Sequence, residues 1–347
     1  MVENLLERTE MEKNIVSVLI ISYNQGKYIK QCIESVLAQR FEGELQIIIH
    51  DDGSTDNSRE IIDKYSSNKC ITKVYPRENV FSRGFYRMLT ENVLPICEGK
   101  YLAFCEADDY WTDVYKIQKQ LDALENNSQC ALCTHDVVLV DAVNNKIIGN
   151  VPNQKLKMRY PQIITSNIFI NDWLDTKTFF GLNSLMINRN YIDSKSIPTF
   201  FTESYCLDFT IPLLVGTKGE VYYIKECMAE KRVGNDGSLS AKNVAGISVD
   251  KYINNLENEN SMLSDFDVYT NEKYHVQIVN TILKNKRKEY AKRNSAQHSG
   301  NIFLHKIILK VKFHFKNGMR KYPKIRDLYL HLENLYMNRY RKYGEKI

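Results

Sequence analysis

Apolar positions along the first 140 residues of this chain alternate between two patterns. Residues 15–21 and 45–49 are near-continuous apolar runs, as expected of strands covered on both faces. Between them, residues 26–39 carry Ile29, Ile33, Val36 and Leu37 at helical spacing. Residues 56–65 predict a second helix with Asp56 as its N-cap, and residues 70–75 a third strand. A helix over 85–97, interrupted near Pro95, precedes a strand at 101–105. An amphipathic helix over 114–126 then points Ile117, Leu121 and Leu124 inward. Strands alternating with helices predict an α/β layer architecture with a mostly parallel sheet.

The pattern changes further on. Residues 130–140 predict another strand, and 181–187 and 221–224 are strand-like. Residues 144–166 combine Asn, Lys, Pro and Gln without periodicity and read as loops. No internal repeat is visible. From Val249 onward, Asn- and Glu-rich helical patterns replace strands, so the chain is expected to divide into 1–245 and a helical region 246–347.

Ligands of parallel α/β sheets bind outside the carboxyl ends of the strands, and two of those ends are acidic here. The second strand runs into Asp51-Asp52-Gly53-Ser54-Thr55-Asp56, and the strand at 101–105 runs into Glu106-Ala107-Asp108-Asp109-Tyr110-Trp111. Carboxylate oxygens suit hard ions, and Mg²⁺ is usually held by one or two carboxylates plus substrate phosphates. Solvated turns and helix N-caps use the same residue types.

The stretch Val16-Ser17-Val18-Leu19-Ile20-Ile21-Ser22-Tyr23-Asn24, followed by the two acidic segments in that order and at that spacing, resembles the family 2 glycosyltransferases. The resemblance covers roughly the first 125 residues and continues more faintly to about residue 235. It implies a GT-A type, Rossmann-like, mostly parallel sheet flanked by helices. It also implies a nucleotide-diphosphate sugar donor with UDP-sugar favoured, a Mg²⁺ or Mn²⁺ ion, and inversion at the anomeric carbon.

Carried over residue by residue, Ser22, Tyr23 and Asn24 would form the pocket under the base, with Asp52 reading its edge. Asp108 and Asp109 would serve metal and ribose. Glu106 stands where the family usually has the first Asp of an Asp-x-Asp element, which leaves open which carboxylate touches which partner. Arg83 contacts phosphate or sugar, or is a plain surface arginine. Asp208 is the expected general base, at a helix start that precedes Gly216-Thr217-Lys218-Gly219 and a strand. The family's usual Glu-Asp pair is missing there, so the alternative is a helix-capping Asp, with Glu203 next in line. Trp111 either stacks on an acceptor sugar or packs beneath the loop. Lys231-Arg232-Val233-Gly234 resembles a closing basic segment near the diphosphate, although a commonly following His is replaced. His135 and Asp136, read as the end of a strand, either line the acceptor side or are satisfied in the core.

Composition and charge narrow the classes. Residues 301–347 hold 12 Lys and Arg against 3 Asp and Glu, a net of +9, whereas residues 1–300 are net −4. The basic character therefore belongs to the tail, and no nucleic-acid partner is expected. In the tail, Leu304, Ile307, Ile308, Val311 and Phe315 share one helical face, flanked by Lys306, Lys310, Lys312 and Lys316. This suits an interfacial helix at an anionic membrane surface, or an appendage packed on protein, including a second subunit.

No run reaches the ~20 apolar residues of a membrane span, and the start lacks a basic and then apolar leader pattern. A cytoplasmic protein, at the inner face of the cell membrane if the tail attaches there, is expected. The 8 cysteines are scattered among apolar neighbours and read as reduced core thiols, Cys130 and Cys133 included. The acceptor implied is a glycan or a polyisoprenyl-linked sugar of surface polysaccharide synthesis. A sugar nucleotidyltransferase would want a Gly-rich basic loop after the first strand, which Ser22-Tyr23-Asn24-Gln25-Gly26 is not. A catalytically degenerate glycan-binding or membrane-associated scaffold would leave Asp52, Asp108, Asp109 and Asp208 idle.

Overall fold

The computed structural model describes residues 15–77, 79–80, 85–176, 180–193, 195–202, 204, 207–234 and 248–296. Arg83, Glu203 and the basic tail lie outside these residues. The strands are β1 (Ile15–Ser22), β2 (Glu44–Asp51), β3 (Ile71–Val74), β4 (Tyr101–Glu106), β5 (Tyr110–Trp111), β6 (Cys130–Asp141), β7 (Ile147–Val151), β8 (Ile163–Ile164), β9 (Met186–Asn188) and β10 (Glu220–Val233). They form one sheet in the order β3-β2-β1-β4-β9-β6-β10-β5, with β7 on β6 and β8 on β10.

The pairs β1–β2, β2–β3, β1–β4 and β6–β10 are parallel. The short β9 lies antiparallel to both β4 and β6. The carboxyl ends of β1, β2, β4, β6 and β10 therefore share one edge.

The helices are α1 (Ile29–Leu37), α2 (Ser58–Asp63), α3 (Phe85–Arg87), α4 (Lys116–Glu125), α5 (Gln154–Arg159), α6 (Ser166–Thr176), α7 (Thr199–Thr202), α8 (Leu207–Gly216), α9 (Val249–Tyr269) and α10 (His275–Ala296). They cover both faces of the sheet because successive strand residues point to opposite sides. Val16, Val18 and Ile20 pack with Ile29, Ile33 and Val36 of α1 and Ile117, Leu121 and Leu124 of α4. Leu19, Ile48 and Phe104 face the other way, into a core completed by Trp173 of α6, Leu213 of α8 and Phe266 of α9. Phe104 is fully buried, so Phe104→Ala would cost about 3–5 kcal/mol.

Several expectations are corrected. Asp56 is not the N-cap of α2: Asn57 holds that position without a side-chain bond. Asp56 instead accepts from the Ser58 and Gly26 N–H groups and ties two loops together. The helix read over 85–97 changes type twice: after α3 the chain widens over Met88–Val93 and then tightens over Leu94–Ile96, the second change falling at Pro95 as expected. Residues 144–166 are not loops, since they contain β7, α5 and β8, and α5 starts from an Asn153 side chain that accepts the Leu156 N–H. The strand read at 181–187 begins as a helical turn, Leu182–Ser184. The first compact unit spans Met1–Glu289 and the second Tyr290–Ile347. Within the first unit, α9 seats Met262, Leu263 and Phe266 in the main core.

Candidate active site

At the end of β2 the acidic segment is tied down by short local bonds. Asp51 is fully buried and accepts from Ser22 Oγ, from the N–H and Oγ of Ser54, and from Arg59 Nε at 2.6 Å. Gly53 turns the chain with φ +89°, a conformation that suits a residue without a Cβ. Asp52, 6% exposed, accepts the Val80 N–H at 2.7 Å and so fixes residues 79–80 beside the strand end.

The β1 loop is stitched to the same turn. Asn24, at φ 53°, donates its N–H to Ser54 Oγ, and its Oδ1 accepts from Thr55 N–H. Ser22 is spent on Asp51, and Asn24 on the loop. Of the three residues expected under a base, only Tyr23 offers an exposed ring.

The end of β4 is built from long-range partners. β5 pairs antiparallel with β10, setting Tyr110 opposite Glu230 and Trp111 opposite Ala229. Residues of β10 then alternate along the strand. Arg232 donates through Nη1 to the Asp108 carbonyl and lays its guanidinium over the Tyr28 and Tyr110 rings, 4.7 Å from each centroid. On the other face, Lys231 Nζ stands 2.5 Å from Glu106 Oε2 and 3.8 Å from Asp109 Oδ2. Burial alone would lower the Lys231 pKa, but Glu106, Asp109, Asp208 and Asp108 hold it well above the ordinary lysine value. The ammonium therefore stays charged.

The metal assignment is corrected by these bonds. Asp109 is fully buried, with Oδ1 accepting the Arg232 N–H at 2.9 Å and Oδ2 accepting Asn183 Nδ2 at 3.0 Å. Both oxygens are committed to protein, and burial pushes this carboxyl up against the pull of Lys231. Asp109 does not fit as a metal ligand. Among the described residues no group of three or more His, Cys, Asp or Glu side chains could hold an ion, and the carboxylate pair Glu106 and Asp109 has Lys231 within 4 Å of each member. Asp108, part-exposed on the same loop, fits a site made of one carboxylate plus donor phosphates.

Asp208 lies in the first turn of α8. A helix that returns beneath a parallel sheet starts at the carboxyl edge, so this turn joins the acidic one. Pro212 has no N–H to close on the Asp208 carbonyl, leaving that turn one backbone bond short. Burial raises the Asp208 carboxyl to about 7, with Glu106 the largest charge contribution and Lys231 opposing it.

Burial decides two acceptor-side alternatives. Trp111 is 4% exposed, donates its indole N–H to the Asn183 carbonyl, and has Lys116 Nζ 3.9 Å from its ring centroid. It packs beneath the loop and presents no face to an acceptor. His135 and Asp136 sit in mid-strand; Asp136 takes the Lys157 ammonium and the Tyr223 hydroxyl, and His135 Nδ1 lies 2.7 Å from the Asp136 carbonyl. Asn183, which orients Asp109, had no signal in a segment read as strand. The basic Lys231-Arg232 pair was visible, but not its placement among four carboxylates.

A Rossmann-like sheet with an acidic carboxyl edge, closed by a carboxylate from the following helix, defines a GT-A type protein. The sequence model described as Glycosyl transferase family 2 matches residues 17–193, about half of the chain, and the chain belongs to that family. Bacillus subtilis TuaG, whose name describes a teichuronic acid biosynthesis glycosyltransferase, is 29% identical over 232 residues, covering 66% of this chain and 83% of TuaG. Escherichia coli WfaP, named a UDP-Glc:alpha-D-GlcNAc-diphosphoundecaprenol beta-1,3-glucosyltransferase, is 29% identical over 161 residues, 45% of this chain and 61% of WfaP.

The match to a Mycobacterium tuberculosis relative, 35% identical over 127 residues, spans about a third of that protein's length (36%). Among solved structures, Staphylococcus aureus TarS 1–349 in complex with UDP-GlcNAc superposes with a TM-score of 0.58 at 17% identity, covering 78% of this chain and 72% of TarS 1–349. This likeness establishes the fold. Among the described residues no helix is long and apolar enough to cross a membrane.

Proposed function

We propose that the chain transfers a sugar from a nucleotide-diphosphate donor, with UDP-sugar favoured, to a hydroxyl of a glycan or polyisoprenyl-linked acceptor in surface polysaccharide synthesis, with inversion. The observation that carries this reading is Asp208, whose carboxyl shares one charge cluster with the acidic edge of β4 and is raised to about 7 by burial and Glu106. An inverting transfer needs a base opposite the leaving group. The acceptor oxygen bonds to the anomeric carbon as the bond from that carbon to the diphosphate breaks, and the hydroxyl proton passes to Asp208. A carboxyl poised near neutrality suits that transfer.

Tyr23 would meet the base, and Asp52 would hold its edge. A divalent ion, when bound, would be held by Asp108 and donor phosphates and would neutralise charge on the leaving diphosphate. Asp109 would keep the loop in shape. The names of TuaG and WfaP support a cell-surface glycan product and, for WfaP, a UDP donor and a lipid-diphosphate acceptor. The basic segment 301–347 would bring the enzyme to that lipid, an attachment that vesicle co-sedimentation at low and high salt would test.

The deciding experiment incubates the full chain with UDP- and GDP-sugars and a polyprenyl-diphosphate-linked N-acetylhexosamine, following nucleotide release and product mass. Acceptor-stimulated UDP release with an inverted product supports the reading. No release from any donor, with or without acceptor, would rule it out.

A further inference from the structure

We infer that the β6–β7 hairpin is a membrane-contact element that docks on an anionic bilayer surface independently of the basic tail. Among the described residues, the three most exposed large apolar side chains are Val143 at 85%, Met158 at 77% and Ile147 at 70%, and all three lie within residues 143–158. Ile148, 53% exposed, stands beside Ile147. Single exposed hydrophobics are ordinary, whereas a concentration of them marks a contact surface. Such contact goes beyond the transfer reaction, since it needs neither donor nor acceptor to be bound.

The tip of the hairpin is held by its own side chains. Asp141 Oδ1 accepts the Val143 and Asn144 N–H groups, and Asn144 Oδ1 accepts the Lys146 N–H. Asp141 also closes the turn through its backbone, accepting the Asn145 N–H and donating to the Lys146 carbonyl. Val143 therefore projects from a fixed turn. Successive strand residues face opposite sides, but β7 slips register where Val140 pairs with Ile147 and Leu139 with Gly149, and both isoleucines stay exposed.

β7 pairs only with β6 among the described strands, and an added strand is one possible occupant of such an edge. The register slip, Lys146 at its entrance and Pro152 at its exit all oppose that pairing. Charge favours a bilayer. Residues 141–159 hold Lys146, Lys155, Lys157 and Arg159 against Asp141 alone, within a body of residues 1–300 that is net −4. Asp141 is turned to the N–H groups of the tip, and Lys157 and Arg159 pair with Asp136 and Asp172. Lys146 and Lys155 are exposed and have no acidic partner among the described residues. Apolar side chains beside such ammonium groups suit the interface of an anionic leaflet. The Ala142 N–H donates to the Val233 carbonyl, so the hairpin leaves the sheet from the same carboxyl edge that carries Glu106 and Asp108.

The test uses the full chain carrying Ile147→Trp, because Trp111 and Trp173 are buried and give a constant background. Emission is followed on adding phosphatidylglycerol vesicles, with and without brominated acyl chains, or phosphatidylcholine vesicles, at low and high salt. The introduced indole should shift to the blue and be quenched by bromine on the anionic vesicles at low salt, and respond weakly at high salt or on phosphatidylcholine. Co-sedimentation of the double variant Ile147→Asp/Ile148→Asp should fall by about fivefold or more, and that of Lys146→Glu by about two- to threefold. If circular dichroism finds the double variant unfolded, the emission of Ile147→Trp decides. Co-sedimentation of Ile147→Trp without any change in its emission would leave attachment to the tail alone and overturn the inference, as would no association with either vesicle. A blue shift that grows with protein concentration in the absence of lipid would assign the hairpin to a second copy of the chain, and would overturn it too.

Discussion

The carboxyl ends of β2 and β4 carry similar acidic segments and are held in opposite ways. At β2, Asp51 is neutralised within a few residues by Ser54 and Arg59, and by a hydroxyl from the adjoining strand. The result is a rigid turn. At β4, the acidic residues wait for Lys231 and Arg232, more than 120 residues downstream, and for Asn183. One ammonium set against four carboxylates leaves surplus negative charge, which adds to burial in raising Asp208 and leaves the edge receptive to cations. Equal acidity therefore yields a locally closed turn in one place and an edge with surplus negative charge in the other, and the balance of nearby positive charge decides which.

The largest test of that contrast is Asp208→Asn, which should lower turnover by about 10²- to 10⁴-fold, as for a lost general base, while calorimetry finds UDP affinity nearly unchanged. Near-normal turnover would reduce Asp208 to a helix-capping residue. Next, Asp109→Ala should destabilise by about 3–5 kcal/mol in urea melts, because it strips a buried partner from Lys231, Asn183 and the Arg232 N–H. Asp51→Ala should cost about 1–3 kcal/mol, since Arg59 stays part-exposed and water can replace the lost bonds. The reverse order would break the comparison.

Acidity itself offers a third test. With Asp208 at about 7, kcat/KM should climb as pH rises through neutrality, and this limb should vanish in Asp208→Asn. The linked stability has the opposite sign. A folded pKa above the ordinary 3.8 favours the protonated native state, so this contribution is present at low pH and fades as pH rises from about 4 to about 7. Asp208→Asn should accordingly gain stability relative to the parent between pH 5 and pH 8. The smallest effect belongs to Trp111→Phe. It removes one indole hydrogen bond, costing about 1 kcal/mol, and should leave acceptor KM unchanged.

What the sequence makes legible here is whatever a single segment determines. The runs at β1, β2 and β4 are near-continuously apolar because helices cover both faces, and periodicity reports that directly. The two acidic ends and the helix start at Asp208 follow from position alone. The different surroundings of Asp108 and Asp109 do not, because adjacent carboxylates of identical chemistry are told apart by partners far away in the chain, Asn183 and Arg232 among them. Trp111 looks like a stacking surface until Lys116, pushed down to about 7 by burial, takes its place over the ring. The region 144–166 hides its elements for a related reason: β7 and β8 are short and exist by leaning on β6 and β10.

The pairing of β5 with β10 also bears on how the molecule is made. A nascent chain that has reached residue 193, where the family match ends, already contains both acidic strand ends. It lacks Asp208, Lys231 and Arg232. Until those arrive, Glu106, Asp108 and Asp109 repel one another and the loop has no strand to pair with. Closing so long a loop adds little entropy beyond closing a short one, so what delays the edge is waiting for synthesis and for non-local pairing. The acidic edge is then finished only after its sheet, and intermediates cut short of residue 232 should have the fold's first half with the loop that carries Glu106, Asp108 and Asp109 unpaired.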